Sequence, residues 1–124
     1  MADADFQHLR LSMVKDVALV EIRTKDVQGP QLAQELGHEL TVVIAQEWAR
    51  RVLVDFRRVD YISSTGFAAV FKLVSRAKAE GREVKLCGMG PGILLGAEVV
   101  GLPKVVEIHA DQASALRAFA SPKG

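Results

Sequence analysis

Val52-Leu-Val-Asp-Phe56 is the stretch that most limits how this chain can fold. It is short, nearly all apolar and partly β-branched, and arginine pairs flank it, Arg50-Arg51 before and Arg57-Arg58 after. A short apolar run without alternation suits a strand covered on both faces, as in the centre of a parallel sheet. The arginine pairs read first as its solvated ends, and second as a phosphate-binding patch.

The segments on either side supply the partners such a strand needs. Phe6 to Met13 and Val17 to Arg23 read as two strands joined by a tight turn at Lys15-Asp16, which predicts an N-terminal hairpin. Thr24 to Gly29 is polar and turn-like. Pro30 suits a first helical position, and Leu32, Leu36, Leu40, Val43 and Ile44 follow at helical spacing. Gly37 and the β-branched run Thr41 to Ile44 weaken that helix intrinsically, so packing must hold it.

Beyond the strand, Gly66 to Glu80 reads as a second helix with Phe67, Val70, Phe71, Val74 and Ala77 on one face, stopped by Gly81. Glu83 to Cys87 is the next strand, Ile93 to Val100 a third helix, and Val105 to Ile108 the last strand. Asp111 caps a fourth helix through about Phe119, and the tail Ser121 to Gly124 should fray. The order predicts an α/β fold: a mixed sheet with an N-terminal hairpin, then alternating helix and strand, with four helices. One domain is expected over residues 1–124, its core spanning about 6–119.

Composition narrows the function. Hydrophobic residues make up 49% of the 124, enough to fill one core without a disulfide or metal staple. The net charge of +1 lacks the clustered basic surplus of a nucleic-acid binder. The lone Cys87 lies in an apolar run, which excludes an intramolecular disulfide and favours a buried structural thiol. The N-terminal Met1-Ala-Asp-Ala-Asp-Phe6 has neither a basic nor an apolar leader region, and no apolar run is long enough to span a bilayer. The expectation is a soluble cytoplasmic protein with no cofactor, no metal, no membrane partner and no direct nucleic-acid partner.

Three consecutive hydroxyls, Ser63-Ser64-Thr65, precede Gly66 at the start of the second helix. Hydroxyl oxygens accept from the orphan N–H groups of a first turn, so one of the three serves as cap. A helix start also tolerates a phosphate, because donors and a partial positive charge already face it. Phosphorylation there would add about −1.5 to −2 charges without disturbing a core. A nucleophile elbow would need a Gly two residues before its serine, which is missing here. Gly88, Gly90 and Gly92 do not complete a dinucleotide loop, since Ile93 and Leu95 hold the third-glycine positions. Asp55 ends a strand as a receiver aspartate does, but Arg23-Thr24-Lys25 replaces the acidic pair a receiver requires. Asp55 is therefore expected to bond to nearby backbone or to an arginine.

Taken together, Val52-Leu-Val-Asp55, Ile62-Ser-Ser-Thr-Gly-Phe67, Ala79-Glu-Gly81, Val84-Lys-Leu86 and Gly101-Leu102-Pro103-Lys104 resemble the STAS domain. More closely, they resemble the free-standing bacterial anti-sigma factor antagonists. The resemblance implies a non-enzymatic regulator and a mixed sheet with helices. It also implies that the hydroxyl directly before the motif glycine is phosphorylated by a partner anti-sigma factor that is itself a serine/threonine kinase, and is reset by a phosphatase. Here that residue is Thr65, with Ser64 the second choice. The switch motif would comprise Asp55, Ser63, Ser64 and Gly66, and the partner would be met by Phe67, Asp26 and Gln28, with Phe67 an apolar anchor. The family's Asp two residues before the phosphoacceptor is Ser63 here, and Lys25-Asp-Val-Gln28 replaces its Gly-x-Leu-Asp. The alternative is a STAS module that scaffolds a signalling complex or binds a small ligand without being phosphorylated.

Overall fold

In a computed structural model that describes residues 6–120, the chain opens with β1 (Leu9–Val14), β2 (Val17–Ile22), β3 (Asp26–Val27) and α1 (Pro30–Ile44). It continues through β4 (Arg51–Asp55), β5 (Tyr61–Ile62), α2 (Ser64–Ala79) and β6 (Glu83–Cys87). It closes with α3 (Pro91–Val99), a 3-10 turn at Leu102–Lys104, β7 (Glu107–His109) and α4 (Gln112–Ala120). The expectations for the N-terminal stretch through Asp5 and for a fraying Ser121 to Gly124 lie outside the described residues.

Five strands form one mixed sheet in the order β1-β2-β4-β6-β7. β1 and β2 are the expected antiparallel hairpin, with Val14 opposite Val17 and Lys15 at a positive φ of 57° in the turn. β2, β4, β6 and β7 run parallel. Strand side chains alternate between two faces. Ala18, Val20, Ile22, Val52, Val54 and Leu86 share the larger core with residues of α1, α2 and α3. Val17, Leu19, Leu53 and Cys87 pack on the other face with Ala115 and Phe119 of α4. Helices on both faces explain why β4 reads as continuously apolar.

Small residues let α1 and α2 lie close: a Cβ on Gly37 would stand 3.8 Å from Ala69 Cβ. Thr41 satisfies its hydroxyl on the Gly37 carbonyl at 2.9 Å, so this β-branched residue sits in the helix without an unpaired donor.

Several boundaries differ from expectation. β1 starts at Leu9, and Phe6 packs against the core from outside the strand. α3 starts two residues earlier than the apolar pattern suggests, because Pro91 takes the first turn. β7 starts at Glu107 because buried Leu102 anchors the 3-10 turn first, entered through Gly101 at φ 82°. Thr24 to Gly29 is not merely a turn. It carries β3, which pairs in parallel with β5 as a separate two-stranded sheet, Asp26 opposite Tyr61 and Val27 opposite Ile62.

Candidate functional site

The hydroxyl run sits where β5 gives way to α2. Ser63 is the helix cap: its backbone is extended, and its Oγ accepts the Gly66 N–H at 3.2 Å. An Asp would accept in the same way, so the departure from the family pattern keeps the cap. Ser64 and Thr65 fall in the first helical turn, and both are exposed. Thr65 Oγ1 lies 3.2 Å from Ser63 Oγ, and one of the two hydroxyls donates to the other. No acidic side chain occupies that first turn, so no carboxylate there offsets the positive end of the helix dipole.

Gly66 serves packing. A Cβ there would meet Val27 Cγ1 at 2.9 Å, the Val27 carbonyl oxygen at 3.0 Å and Ile62 Cγ1 at 3.3 Å. The Ser63 N–H donates to that same Val27 carbonyl at 2.8 Å. These contacts lash the 26–29 loop to the start of α2. Asp26 and Gln28, both exposed, flank Val27 in this pairing, with Asp26 opposite Tyr61 and Gln28 just past the Val27 carbonyl that accepts from Ser63.

Two residues grouped with the site do other work. Phe67 is not an exposed anchor: it is only 6% accessible and its ring packs on α3, where a Cβ on Gly96 would stand 3.2 Å from Phe67 Cε2. The correction follows from the helix period, which puts Phe67 on the same buried stripe as Val70, Val74 and Ala77. Asp55 is a buried structural carboxylate. Its Oδ1 accepts the Arg57 backbone N–H at 2.9 Å and its Oδ2 accepts Gln112 Nε2 at 2.6 Å. Gly88, at φ 79°, leaves room for Asp55 Oδ1 that any Cβ would occupy.

The sequence reading missed a groove of about 500 Å³ between α1 and α2 that has Thr65 on its wall. Ala33, Gly37 and Ala69 keep it open, and Lys72, Arg76 and His38 supply its basic groups. Arg76 also pairs with Glu80 at 3.2 Å. The signal was legible as small residues facing each other across two helices, but only once their packing was known.

Elsewhere, Cys87 is fully buried, and burial, followed by the nearby Asp55 charge, pushes its thiol up from 9.0 to about 12. Hydrogen bonds from His8 and then Gln31 hold the Glu35 carboxyl below its ordinary value. Lys85 and His109 do the same for Glu107, Lys85 Nζ donating at 2.9 Å. Among the described residues no cluster of His, Cys, Asp and Glu could hold a metal ion, and no helix is long and apolar enough to cross a membrane.

This sheet, with a capped, hydroxyl-bearing helix start lashed to a two-residue strand, is the architecture of a STAS domain. The STAS domain profile matches residues 31–115, and the chain belongs to that family. Its likeness is to the anti-sigma factor antagonists within the family, which are regulators and not enzymes. BtrV of Bordetella bronchiseptica, which carries the name of an anti-sigma factor antagonist, is 26% identical over 111 residues, covering 90% of this chain and 95% of BtrV. An anti-sigma factor antagonist from Mycobacterium paratuberculosis superposes with a TM-score of 0.80 at 17% identity, over 91% of this chain and 93% of that one. The Bacillus cell-fate determinant SpoIIAA in its phosphorylated form superposes with a TM-score of 0.65 at 15% identity, over 90% and 98%.

Proposed function

We propose that this chain is an anti-sigma factor antagonist whose binding to an anti-sigma serine/threonine kinase is switched by phosphorylation of Thr65, with a phosphatase restoring the unmodified form in the cytoplasm. The observation that carries this reading is the exposed Thr65 hydroxyl in the first turn of α2, beside a 26–29 loop held in place by β3–β5 pairing. Relatives named as anti-sigma factor antagonists, and a structural neighbour solved in a phosphorylated form, support it.

The physics of the switch is local. A phosphate on Thr65 adds about −1.5 to −2 charges at a helix start that accepts them, so the fold stays intact. The same charges change the potential of the partner-facing surface formed with Asp26 and Gln28. Ser64, one residue earlier and equally exposed, is the second acceptor. Phe67 contributes by fixing α2 on α3, not by touching the partner.

Incubation with ATP and the cognate kinase, followed by mass spectrometry, tests the assignment. Phosphate is expected on Thr65 and is lost in Thr65→Ala. Thr65→Glu should fold normally and bind the kinase at least about tenfold more weakly, about 1.4 kcal/mol. A kinase of demonstrated activity that leaves Ser63, Ser64 and Thr65 unmodified sinks the proposal.

A further inference from the structure

Two matched stripes build the groove between α1 and α2. On α2 its wall is Thr65, Ala68, Ala69, Lys72 and Arg76. On α1 it is Pro30, Ala33, Gly37, His38 and Thr41. Each set recurs at intervals of three and four, so each forms one face of its helix. On α2 this is not the stripe that fills the core, since Phe67, Val70, Val74 and Ala77 do that. Phe67 is two positions from both Thr65 and Ala69, so it falls on the far side of the helix, where it packs on α3. The groove stripe is left outward, with Thr65, Ala68, Lys72 and Arg76 all exposed.

Its floor is nearly bare of side chains, and its charge has one sign. Gly37 offers no side chain, and Ala33, Ala68 and Ala69 offer one methyl each, so another backbone can come close. The chain has 15 Asp and Glu residues, yet none of them lines the groove. Lys72 and Arg76 supply positive charge toward the helix C-termini. Arg76 has Glu80 at 3.2 Å, but that pair is exposed and Glu80 lies off the wall, so exchanging it for another carboxylate costs little. At the opposite end both helices begin, with no acidic residue in either first turn, and the positive ends of two helix dipoles stand side by side.

We propose that this groove seats an acidic amphipathic helix of a partner protein. Small apolar side chains of that helix lie on Ala33, Gly37, Ala68 and Ala69, and its carboxylates reach Lys72, Arg76 and the two helix starts. From Thr65 to Arg76 the groove runs about 16 Å at about 1.5 Å per residue, which accommodates about three turns of a docked helix. The methyl-lined floor favours a segment with an apolar face over a bare anion. No aromatic side chain lines the groove to stack a nucleic-acid base. Thr65 stands on the wall, so a phosphate there would set like charge beside the docked carboxylates. That consequence rests on the phosphorylation proposed above, whereas the docking does not.

The test is a titration of the isotope-labelled full chain, never exposed to a kinase, at about 150 mM salt, where exposed charges are well screened. The probe is an end-capped helical peptide of about 15 residues made of glutamate, alanine and leucine. Saturable amide shifts along 30–41 and 65–76 are expected. Lys72→Gln/Arg76→Gln should weaken binding at least about tenfold, and so should Ala68→Glu, which puts a carboxylate on the floor. Lys78→Gln/Lys104→Gln, at a separate basic groove, should leave it unchanged. The same peptide with lysine in place of glutamate should not bind. The absence of saturable shifts, equal binding of the lysine peptide, or equal loss in both double variants would overturn the proposal. So would binding of anionic vesicles or single-stranded DNA where the acidic peptide does not bind. The shift map stands on the unmodified protein, so it decides the matter even if a variant fails to fold. A Thr65 that no kinase modifies would leave the map as it is, which keeps the two proposals separable.

Discussion

Gly66 and Val27 approach so closely that no side chain fits between them. A Cβ on Gly66 would stand 2.9 Å from Val27 Cγ1 and 3.0 Å from the Val27 carbonyl oxygen. Val27 has no room to retreat, being fully buried and paired with Ile62. Gly66→Ala is therefore expected to cost about 1–3 kcal/mol and to push the start of α2 off β3. Urea unfolding measures the cost, and amide shifts of Ser63 and Val27 report the displacement. Parent-like stability would show the contact to be slack.

Gln112 holds the second oxygen of Asp55, a carboxylate that is only 3% accessible. Gln112→Ala leaves that acceptor without its protein donor, at an expected cost of about 1–3 kcal/mol. Gln112→Glu sets two carboxylates face to face. It should cost more at neutral pH and recover on acidification, as one of the pair takes up a proton. Denaturation midpoints of the two variants across the acid range check this ordering.

The hydrogen bonds of Asp55 also bear on how much the sequence disclosed. Its role as a strand-end carboxylate bonded to nearby backbone was legible, because an acid ending a buried apolar strand needs donors close by. Gln112 was not, since the two are far apart in the chain and only the packing of α4 brings them together. β3 and β5 were invisible for another reason: two residues per strand carry no period. Phe67 shows the converse. Its helical spacing already placed it on the buried stripe, and that periodicity outranked the expectation that it faces a partner.

Cys87 should make the fold sensitive to alkali. Its folded thiol is raised from 9.0 to about 12, so below the lower value both states keep the proton and nothing changes. As pH climbs from there toward the upper value, the unfolded chain ionises and the folded one does not. Stability then falls by about 1.4 kcal/mol per pH unit from this group. Denaturation of the parent and of Cys87→Ala from about pH 8 to about pH 10 should show a steeper decline in the parent. Parallel declines would contradict the shift.

Glu39 clamps the entry to β1. Its nearly buried carboxylate accepts the Gln7 N–H at 2.8 Å and the His8 N–H at 2.9 Å. Glu39→Gln replaces one acceptor with a donor, so one of these amides loses its partner. The expected cost is about 1.5–3 kcal/mol, the range for hydrogen bonds to charged groups. Hydrogen exchange at Gln7 and His8 should accelerate, while Leu36 and Leu40 exchange only as fast as global unfolding allows.

The two-residue pairing of β3 with β5 has a consequence for recognition. Asp26 and Gln28 are more than thirty positions from Thr65 in the chain, yet folding has already fixed their mutual geometry. A partner that reads all three meets a preassembled surface and spends no binding free energy on ordering loops. On such a surface the phosphate proposed for Thr65 would subtract directly from affinity, with no compensating rearrangement to absorb it. Under the proposed phosphorylation of Thr65, control of association would be quantitative, set by the fraction of molecules modified at that hydroxyl.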